Sequence, residues 1–387
     1  MLELSILLAW LEKIGLVLWT LNKWGGFELK KFFIVILILT GIILFQSEIR
    51  QFAVNLTDYI EVEILKKDDM EADGNFFNNI FNNIGINNQN NGNNKNTKEE
   101  SSSNSTTTQS YDNYESIQLG EALDSLISKM GQPNKIEGSE YGFKWYIYNQ
   151  DYSKFCMVGI SDDEVVALFS NTMDSIESEG IELGQTKSQL LNNYKPLEYR
   201  SIGNTRYIIN EDYYSLVEGN TSYITAFYDS FEDDKVVGVQ IISKKIEKRM
   251  TGIYTKDTSV TDDFENINRY LVNSERVAHN LNTLSYSEKA TLCARSHSED
   301  MRDNNYFAHE NLKNQSPFDR MDKYGIFYTR AAENIAAGQT SPIFAHYALM
   351  NSKGHRVNIL GDYKYLGVGV AFGGSMNLYL TQNFYSI

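Results

Sequence analysis

Three of the scarcest functional side chains in this sequence fall in its last third, each in a local context that limits where it can point. The first is His309, closing Tyr306-Phe-Ala-His309. The second is Glu333, in Ala332-Glu333-Asn334-Ile335-Ala336. The third is His355, in Asn351-Ser-Lys-Gly-His355-Arg356-Val-Asn358-Ile-Leu360. The whole chain of 387 residues has five His. Two imidazoles and one carboxylate are a sufficient ligand set for a catalytic-type zinc with an open position. The same set would serve as the polar floor of a binding cleft. An isolated Glu between small apolar residues is costly to bury unless paired, which favours a protonated His or a metal beside it. Gly354, just before His355, permits a tight turn that would aim the ring inward.

These residues need elements to hold them. Phe264, Ile267, Leu271, Ala278 and Leu281 recur at helical spacing, with Thr261 and Asp262 as caps. Ser285-Tyr-Ser-Glu288 has a capping-box pattern and opens a second helix, with Ala290, Ala294, His297 and Met301 on one face. That face must pack, so His297 is expected to be a hydrogen-bonded core histidine rather than a ligand. Ser316-Pro317 and Ser341-Pro342 open two further helices, with Pro at the first position. Gly367 to Phe372 and Leu378 to Phe384 predict a hairpin across Gly373-Gly374. His309 is expected at a helix end and Glu333 in a strand-like stretch. His279 and His346 are expected on the surface. Arg356 and Asn358 are expected to fix the loop after His355, and Tyr365 and Gln382 to lie at the rim.

Eight short pieces carry a resemblance. They are Asn273-Ser-Glu-Arg276, Ala294-Arg-Ser-His297-Ser298-Glu-Asp-Met301, Tyr306-Phe-Ala-His309, Ser316-Pro-Phe-Asp-Arg320, Glu333-Asn-Ile-Ala336, Gly354-His355-Arg356-Val-Asn358-Ile-Leu360, Leu366-Gly-Val-Gly369 and Thr381-Gln-Asn-Phe384. In this order they resemble the CAP superfamily of cysteine-rich secretory and pathogenesis-related proteins, in its bacterial secreted branch. The resemblance covers about residues 262–387. It implies a three-layer α/β/α sandwich with an antiparallel sheet. It also implies a central cleft with two His and usually two Glu, in which His309, His355 and Glu333 meet. The second Glu of the family falls here on Ser352, with Leu349 at a position that is often Trp. That departure puts any mechanism needing two carboxylates in doubt. The disulfides of the eukaryotic members are missing too, since the chain has only Cys156 and Cys293. Neither cysteine has a base nearby in sequence, and Cys293 is expected to be a small core residue.

Upstream, residues 116–254 echo themselves. Ile117-Gln-Leu-Gly120 recurs as Ile181-Glu-Leu-Gly184. Each copy continues into a helix, Leu123 to Met130 and Lys187 to Tyr194, then a break at Pro133 or Pro196. Alternating strands follow. In the first copy they are Phe143 to Tyr148, Phe155 to Ile160 and Glu164 to Ser170. In the second they are Arg206 to Asn210, Tyr213 to Glu218, Ser222 to Asp229 and Val236 to Ser243. The unit resembles the accessory domain found before bacterial CAP modules. It carries no metal, nucleophile or phosphate signature. The expected fold class is therefore α+β: a duplicated accessory domain followed by the CAP sandwich at 262–387.

Residues 78–115 are rich in Asn, Ser and Thr and too poor in apolar side chains to offset ordering entropy, so a disordered tether is expected. Residues 51–77 would be juxtamembrane. Phe32 to Phe45 is an uncharged, mostly apolar run of 14 residues after Lys30-Lys31. No small-x-small cleavage site follows it, which favours an uncleaved transmembrane signal anchor over residues 30–50; cleavage and secretion is the alternative. Positive charge before the run places the later domains outside the cell. Residues 1–29 are apolar and of open status, read either as an interfacial helix or as a misassigned start.

The net charge is −15. Residues 262–387 hold 12 basic and 13 acidic side chains, and no segment is basic enough for non-specific polyphosphate binding, so no nucleic acid partner is expected. The leading reading is a membrane-anchored extracellular protein. Its cleft of His309, Glu333 and His355 would bind a divalent metal such as zinc, a small lipid-like or cell-envelope ligand, or a protein partner, without necessarily being an enzyme. One rival is a zinc-dependent hydrolase of peptide or wall polymer, with the same three residues as ligands. No second carboxylate is evident as its general base. The other rival is a structural surface or spore-envelope component. Oligomeric state is not legible in the sequence.

Overall fold

The chain is described here from a computed structural model, which places residues 117–172 and 179–387. The expected anchor, juxtamembrane segment and Asn-rich tether lie outside the described residues. Among the described residues no helix is long and apolar enough to cross a membrane.

The duplication is visible in the backbone. Helix α1 (Leu123–Met130) is followed by strands β1 (Lys135–Gly138), β2 (Lys144–Tyr148), β3 (Cys156–Ser161) and β4 (Glu164–Ser170). Helix α2 (Lys187–Asn193) is followed by β5 (Tyr199–Ile202), β6 (Thr205–Ile208), β7 (Tyr214–Glu218), β8 (Ser222–Asp229) and β9 (Lys235–Ser243). Gly120 and Gly184 both sit at φ +84°, where a side chain would be strained, and their N–H groups donate to Val165 and Val236. The turns Asp162-Asp163 and Asp233-Asp234 are left-handed at both residues; the first is a two-residue hairpin loop, and the second closes the longer β8–β9 connection. This Asp-Asp pair is a second sequence echo that the first does not reveal.

The two copies meet head to head. The last strand of each, β4 and β9, pair antiparallel in the middle of one seven-stranded sheet, in the order β1-β2-β3-β4-β9-β8-β7. The symmetry fails in one place. Beside β2 lies a full strand, β1. Beside its counterpart β7 only Pro196 and Leu197 pair, after which the chain leaves to form the separate hairpin β5–β6. The sequence reading missed β1 of this sheet and β5 of the separate hairpin, each only four residues long.

A short helix, α3 (Lys244–Glu247), ends this half of the chain. The second half contains α4 (Thr261–Ala278), β10 (Ser285–Tyr286), α5 (Glu288–Asn304), α6 (Pro317–Lys323) and β11 (Arg330–Ala337). It continues with α7 (Pro342–Met350), α8 (Lys353–Ile359), β12 (Tyr365–Gly373) and β13 (Asn377–Ser386). Its sheet has the order β10-β12-β13-β11, antiparallel except for the β10–β12 pair. Helix α5 starts later than the capping box suggests. Ser285 and Tyr286 give their backbone to β10, and Ser287 becomes the N-cap, accepting from Ala290 N–H.

Side-chain alternation sets the layers. Leu366, Val368, Val370 and Phe372 of β12 pack with Phe264 and Val272 of α4 and with Ala345 and Leu349 of α7. The other face of β12 lies on α5, and it does so through glycine. A Cβ on Gly369 would fall 1.9 Å from Arg295 N, and one on Gly367 would fall 2.2 Å from Thr291 N. Helix backbone therefore rests directly on strand backbone.

The two halves share a core. Ile267, Tyr270 and Leu271 of α4 and Ile343 and Tyr347 of α7 pack with Trp145, Ile147, Met157, Phe169 and Phe227 of the seven-stranded sheet. Tyr347 stacks on Phe227 with ring centroids 4.2 Å apart. Its ring fills the space above Gly238, where a Cβ would sit 1.9 Å from Tyr347 Oη. The far face of that sheet carries α1 and α2 over Leu126, Leu190, Val158, Ile224 and Ile241. The order of layers is thus helices, sheet, helices, sheet, helices.

His346 is accordingly not on the surface, as its sequence suggested. It is fully buried beside Glu275, at 3.5 Å. Helix α7 is covered on both sides, and a helix that is apolar all round has no solvent face to give a histidine. His279, by contrast, is half-exposed at the end of α4.

Replacing Gly238 by Ala should destabilise the protein by about 1–3 kcal/mol, because Tyr347 has nowhere to retreat. Gly252→Ala, where a Cβ meets nothing within 4 Å, should be close to neutral. Urea unfolding of both variants checks this, and equal midpoints would mean that the shared core yields easily.

Candidate functional site

Glu333 lies on β11, the edge strand of the smaller sheet, and faces α5 and α6. Its side chain is 1 % exposed. Two groups meet it. Arg320 Nη2 donates to Oε1 at 2.8 Å and to Oε2 at 2.7 Å. His309 Nδ1 lies 2.9 Å from Oε1, so that nitrogen carries the proton. Burial alone would raise the Glu333 carboxyl. The hydrogen bond from His309 and the charge of Arg320 outweigh it and hold the group below the usual carboxylate range.

Local chemistry places each partner. Helix α6 is started by Pro317 and a closed capping box, in which Ser316 Oγ accepts from Asp319 N–H and Asp319 accepts from Ser316 N–H. One turn later the helix delivers Arg320 to Glu333. Arg320 Nη1 also donates to the carbonyls of His309 and Gln315, at 2.7 and 2.9 Å. Helix α5 ends at Asn305, which adopts the left-handed conformation at φ 54°. His309 therefore sits in the loop beyond the helix, not on its end. That loop winds on Asn311, whose Oδ1 accepts from Lys313 and Gln315 N–H.

His297 of α5 completes the floor. Its Nε2–H donates to Ala308 carbonyl at 3.0 Å, as expected of a core histidine. Burial, with Arg320 and His309 nearby, pushes its pKa down to about 4. The ring is therefore neutral at physiological pH, and its 3.9 Å approach to Glu333 is not an ion pair. Cys293, one turn earlier, is buried, and burial pushes its thiol up to about 12, so it is an inert core residue.

His355 reaches the same edge strand from the other side. It lies within α8, so Gly354 is a helical residue and not the turn its sequence suggested. His355 Nδ1 is 2.8 Å from Ser352 Oγ, the residue at the expected second-Glu position. The His355 carbonyl accepts from Asn334, the neighbour of Glu333 that points to the opposite face. Asn334 is a link in a chain of buried amides. Asn358 donates to Asn334, Asn334 to Gln382, Gln382 to Asn268, and Asn268 to the Pro342 carbonyl. Gln382 is thus fully buried and not at a rim, while Tyr365 stacks on Tyr385.

Arg356 does more than fix a loop. Its Nη1 is 2.8 Å from Asp229 of β8, and its guanidinium lies over the Phe231 ring. Asn351 accepts from Ser230 N–H and donates to Tyr228 carbonyl, both at 2.8 Å. The segment that carries Ser352 and His355 is therefore gripped at both ends by the turn after β8.

As arranged, these residues do not fit a divalent cation. Arg320 occupies both oxygens of Glu333, and a cationic donor is not a metal ligand. Among the described residues, the set of three metal-ligating side chains whose ligand atoms lie within 4.8 Å of one another is Asp229, Glu232 and His279. Arg356 already sits on that set, 2.8 Å from Asp229 and 3.2 Å from His279 Nε2. Nothing in the local sequence assigns Arg320 a role at this site. Its one local signal is its place a turn inside a capped helix; the pairing across to β11 has none.

The geometry can now be set beside known proteins. Residues 119–253 match the CAP-associated N-terminal family, and residues 269–384 match the cysteine-rich secretory protein family. The chain is a CAP-domain protein with a CAP-associated N-terminal domain. It is 28% identical over 291 residues to the uncharacterized membrane protein YlbC of Bacillus subtilis, covering 69% of this chain and 82% of that protein. Over 107 residues it is 45% identical to the uncharacterized protein YkwD of the same organism, covering 27% of this chain and 42% of that one. An extracellular SCP-domain protein from Bacillus anthracis superposes with a TM-score of 0.61 at 25% identity, over 75% of this chain and all of its own. A cysteine-rich secretory protein from Staphylococcus aureus shares the fold, with a TM-score of 0.57 at 17% identity, over 70% of this chain and 91% of its own.

Two outcomes test this CAP cleft. Arg320→Gln should cost about 3–5 kcal/mol by stranding a buried carboxylate, and adding Glu333→Gln should recover most of it. Additive losses in the double-variant cycle would mean that the pair is not coupled. The second concerns pH. A histidine with a lowered folded pKa stabilises fully above its unfolded value of about 6.5, and that stability is lost as pH falls towards 4. Glu137, pushed up to about 7 chiefly by burial, works in the opposite sense. The difference between His297→Asn and the parent is therefore the measurement. The variant's relative stability should rise between pH 6.5 and pH 4, and a flat difference would contradict a neutral His297.

Proposed function

We propose that this is a membrane-anchored, extracellular protein whose CAP cleft binds an amphipathic envelope molecule, such as a lipid-like ligand, without turning it over. The carrying observation is the contrast between floor and rim. The floor is the buried pair of Glu333 and Arg320 with the partly exposed His309 over it. Exposed apolar side chains lie close by in the chain: Phe307 and Leu312 on either side of His309, and Val357 after His355. A polar floor inside an apolar margin suits a ligand with a small polar head and a hydrocarbon body. The extracellular setting is supported by the Bacillus anthracis structure, and membrane attachment by the membrane protein of Bacillus subtilis together with the apolar run Phe32 to Phe45.

A zinc-dependent hydrolase is the weaker reading, because Glu333 would have to shed Arg320 before it could ligate a metal. A structural envelope component remains the third.

The full chain in cell membranes should be labelled by a photoreactive fatty acid. We expect adducts on peptides spanning Phe307–Leu312 and Lys353–Ile359, lost in the His309→Ala/His355→Ala variant. Labelling unchanged in that variant would remove the ligand reading and favour the structural one. Stoichiometric zinc on the parent, lost in the variant, would put the metal reading in its place.

A further inference from the structure

The duplication of the accessory domain breaks where β5 and β6 leave the sheet, and a cavity opens there. An inner chamber of about 60 Å³ lies between the sheet, the β5–β6 hairpin and the start of α7. An outer groove of about 780 Å³ runs beneath the hairpin. Arg200, Leu216, Tyr223 and Glu247 belong to the walls of both. Because Phe344 and Thr340 close the chamber from the CAP side, its contents touch both domains.

One polar atom in the chamber lacks a partner. Gln240 sits on β9, paired on either side with Phe169 of β4 and Thr225 of β8, in the middle of the sheet. The residue is 1% exposed, it lines the chamber, and its Nε2 makes no hydrogen bond. A buried amide donor left unmade is costly and calls for an acceptor. Rings and aliphatic carbon, including those of Tyr207, Tyr214, Ile242 and Phe344, make up about half of the surrounding walls. The charges present are already spent on each other. Arg200 Nη2 donates to Glu247 Oε2 and to Tyr141 Oη, both at 2.8 Å, and its Nε bonds Glu247 Oε1. The pair leaves the chamber walls without net charge.

We propose that this chamber is a binding site, separate from the CAP cleft, for the carbonyl end of a small neutral amide. The carbonyl oxygen accepts from Gln240 Nε2, and the adjoining carbon packs on the rings. A single water needs roughly 10–15 Å³, so the chamber has room for a group the size of an acetamide. The rest of the ligand extends into the outer groove. The β5–β6 hairpin forms its lid: it pairs with itself alone and turns at Gly203, at φ +56°.

The full chain should be titrated with N-methylacetamide and with N-acetyl-L-alanine N-methylamide, read by saturation-transfer NMR and by melting temperature. Acetate and tert-butanol serve as the charged and the hydroxyl comparison. We expect both amides to bind and to raise the melting temperature, with acetate at least ten-fold weaker. Gln240→Leu, which removes the donor, should weaken both amides at least ten-fold while melting no lower than the parent. Gln240→Met, of similar length and without a hydrogen-bond donor, should do the same and stands in if the leucine variant does not fold. No amide binding by the parent, with water alone filling the chamber, would overturn the proposal. Equal amide affinity in parent and variants would overturn it too. The photolabelling of the CAP cleft reads different peptides, so either site can fail alone.

Discussion

Everything in this protein leans on one helical layer that belongs to two sheets at once. Helices α4 and α7 close the core of the CAP sheet with Phe264, Val272, Ala345 and Leu349. With their opposite sides they close the accessory sheet through Ile267, Tyr270, Leu271, Ile343 and Tyr347. Each of these side chains removes apolar area from water on a face that neither domain could cover alone. The accessory domain is therefore not a bead on a string. It supplies one wall of the core in which the CAP helices are buried, which is why α7 has no polar face and why His346 must find a buried carboxylate.

The same layer explains how the candidate residues are held. Glu333 and Asn334 are neighbours on an edge strand, and the two-residue period of a strand sends them to opposite faces. Glu333 meets α5 and α6, while Asn334 meets α8 and opens the chain of amides that runs to α4 and the start of α7. His355 is thus held by the helices of the shared layer and, through Asn351 and Arg356, by the turn after β8. The site's two histidines reach one strand from two independently supported sides. Any ligand that engages both must read the spacing between those supports.

The buried pair of Glu333 and Arg320 gives the cleft its chemical character. An ion pair this deep contributes little net stability, because desolvation consumes most of the attraction. What it does secure is orientation. Arg320 ties the carboxylate to two loop carbonyls, and His309 is fixed by the same contacts. That arrangement presents hydrogen-bonding groups in fixed directions, and it leaves Glu333 poorly suited to serve as a metal ligand.

Much of this could be read from the chain alone. Helical spacing from Phe264 to Ala278, the Ser-Pro openings at 316 and 341, and the strands Glu164–Ser170 and Ser222–Asp229 are local signals that the backbone obeys, although the helix stops short of Leu281. The duplication and the α+β class followed from the same short-range patterns, as did the hydrogen-bonded core role of His297. What the chain could not disclose were relations across space. Arg320 finds Glu333 only because a capped helix and an edge strand face each other. Gln382 is buried only because β13 is an inner strand beneath α4. His346 lost its expected surface because a second sheet covers α7. Periodicity reports which face of an element is apolar, but not how many partners that element has. Local sequence therefore determined the elements and the candidate residues, while the stacking of two sheets on one helical layer decided which of them are buried, paired or brought together.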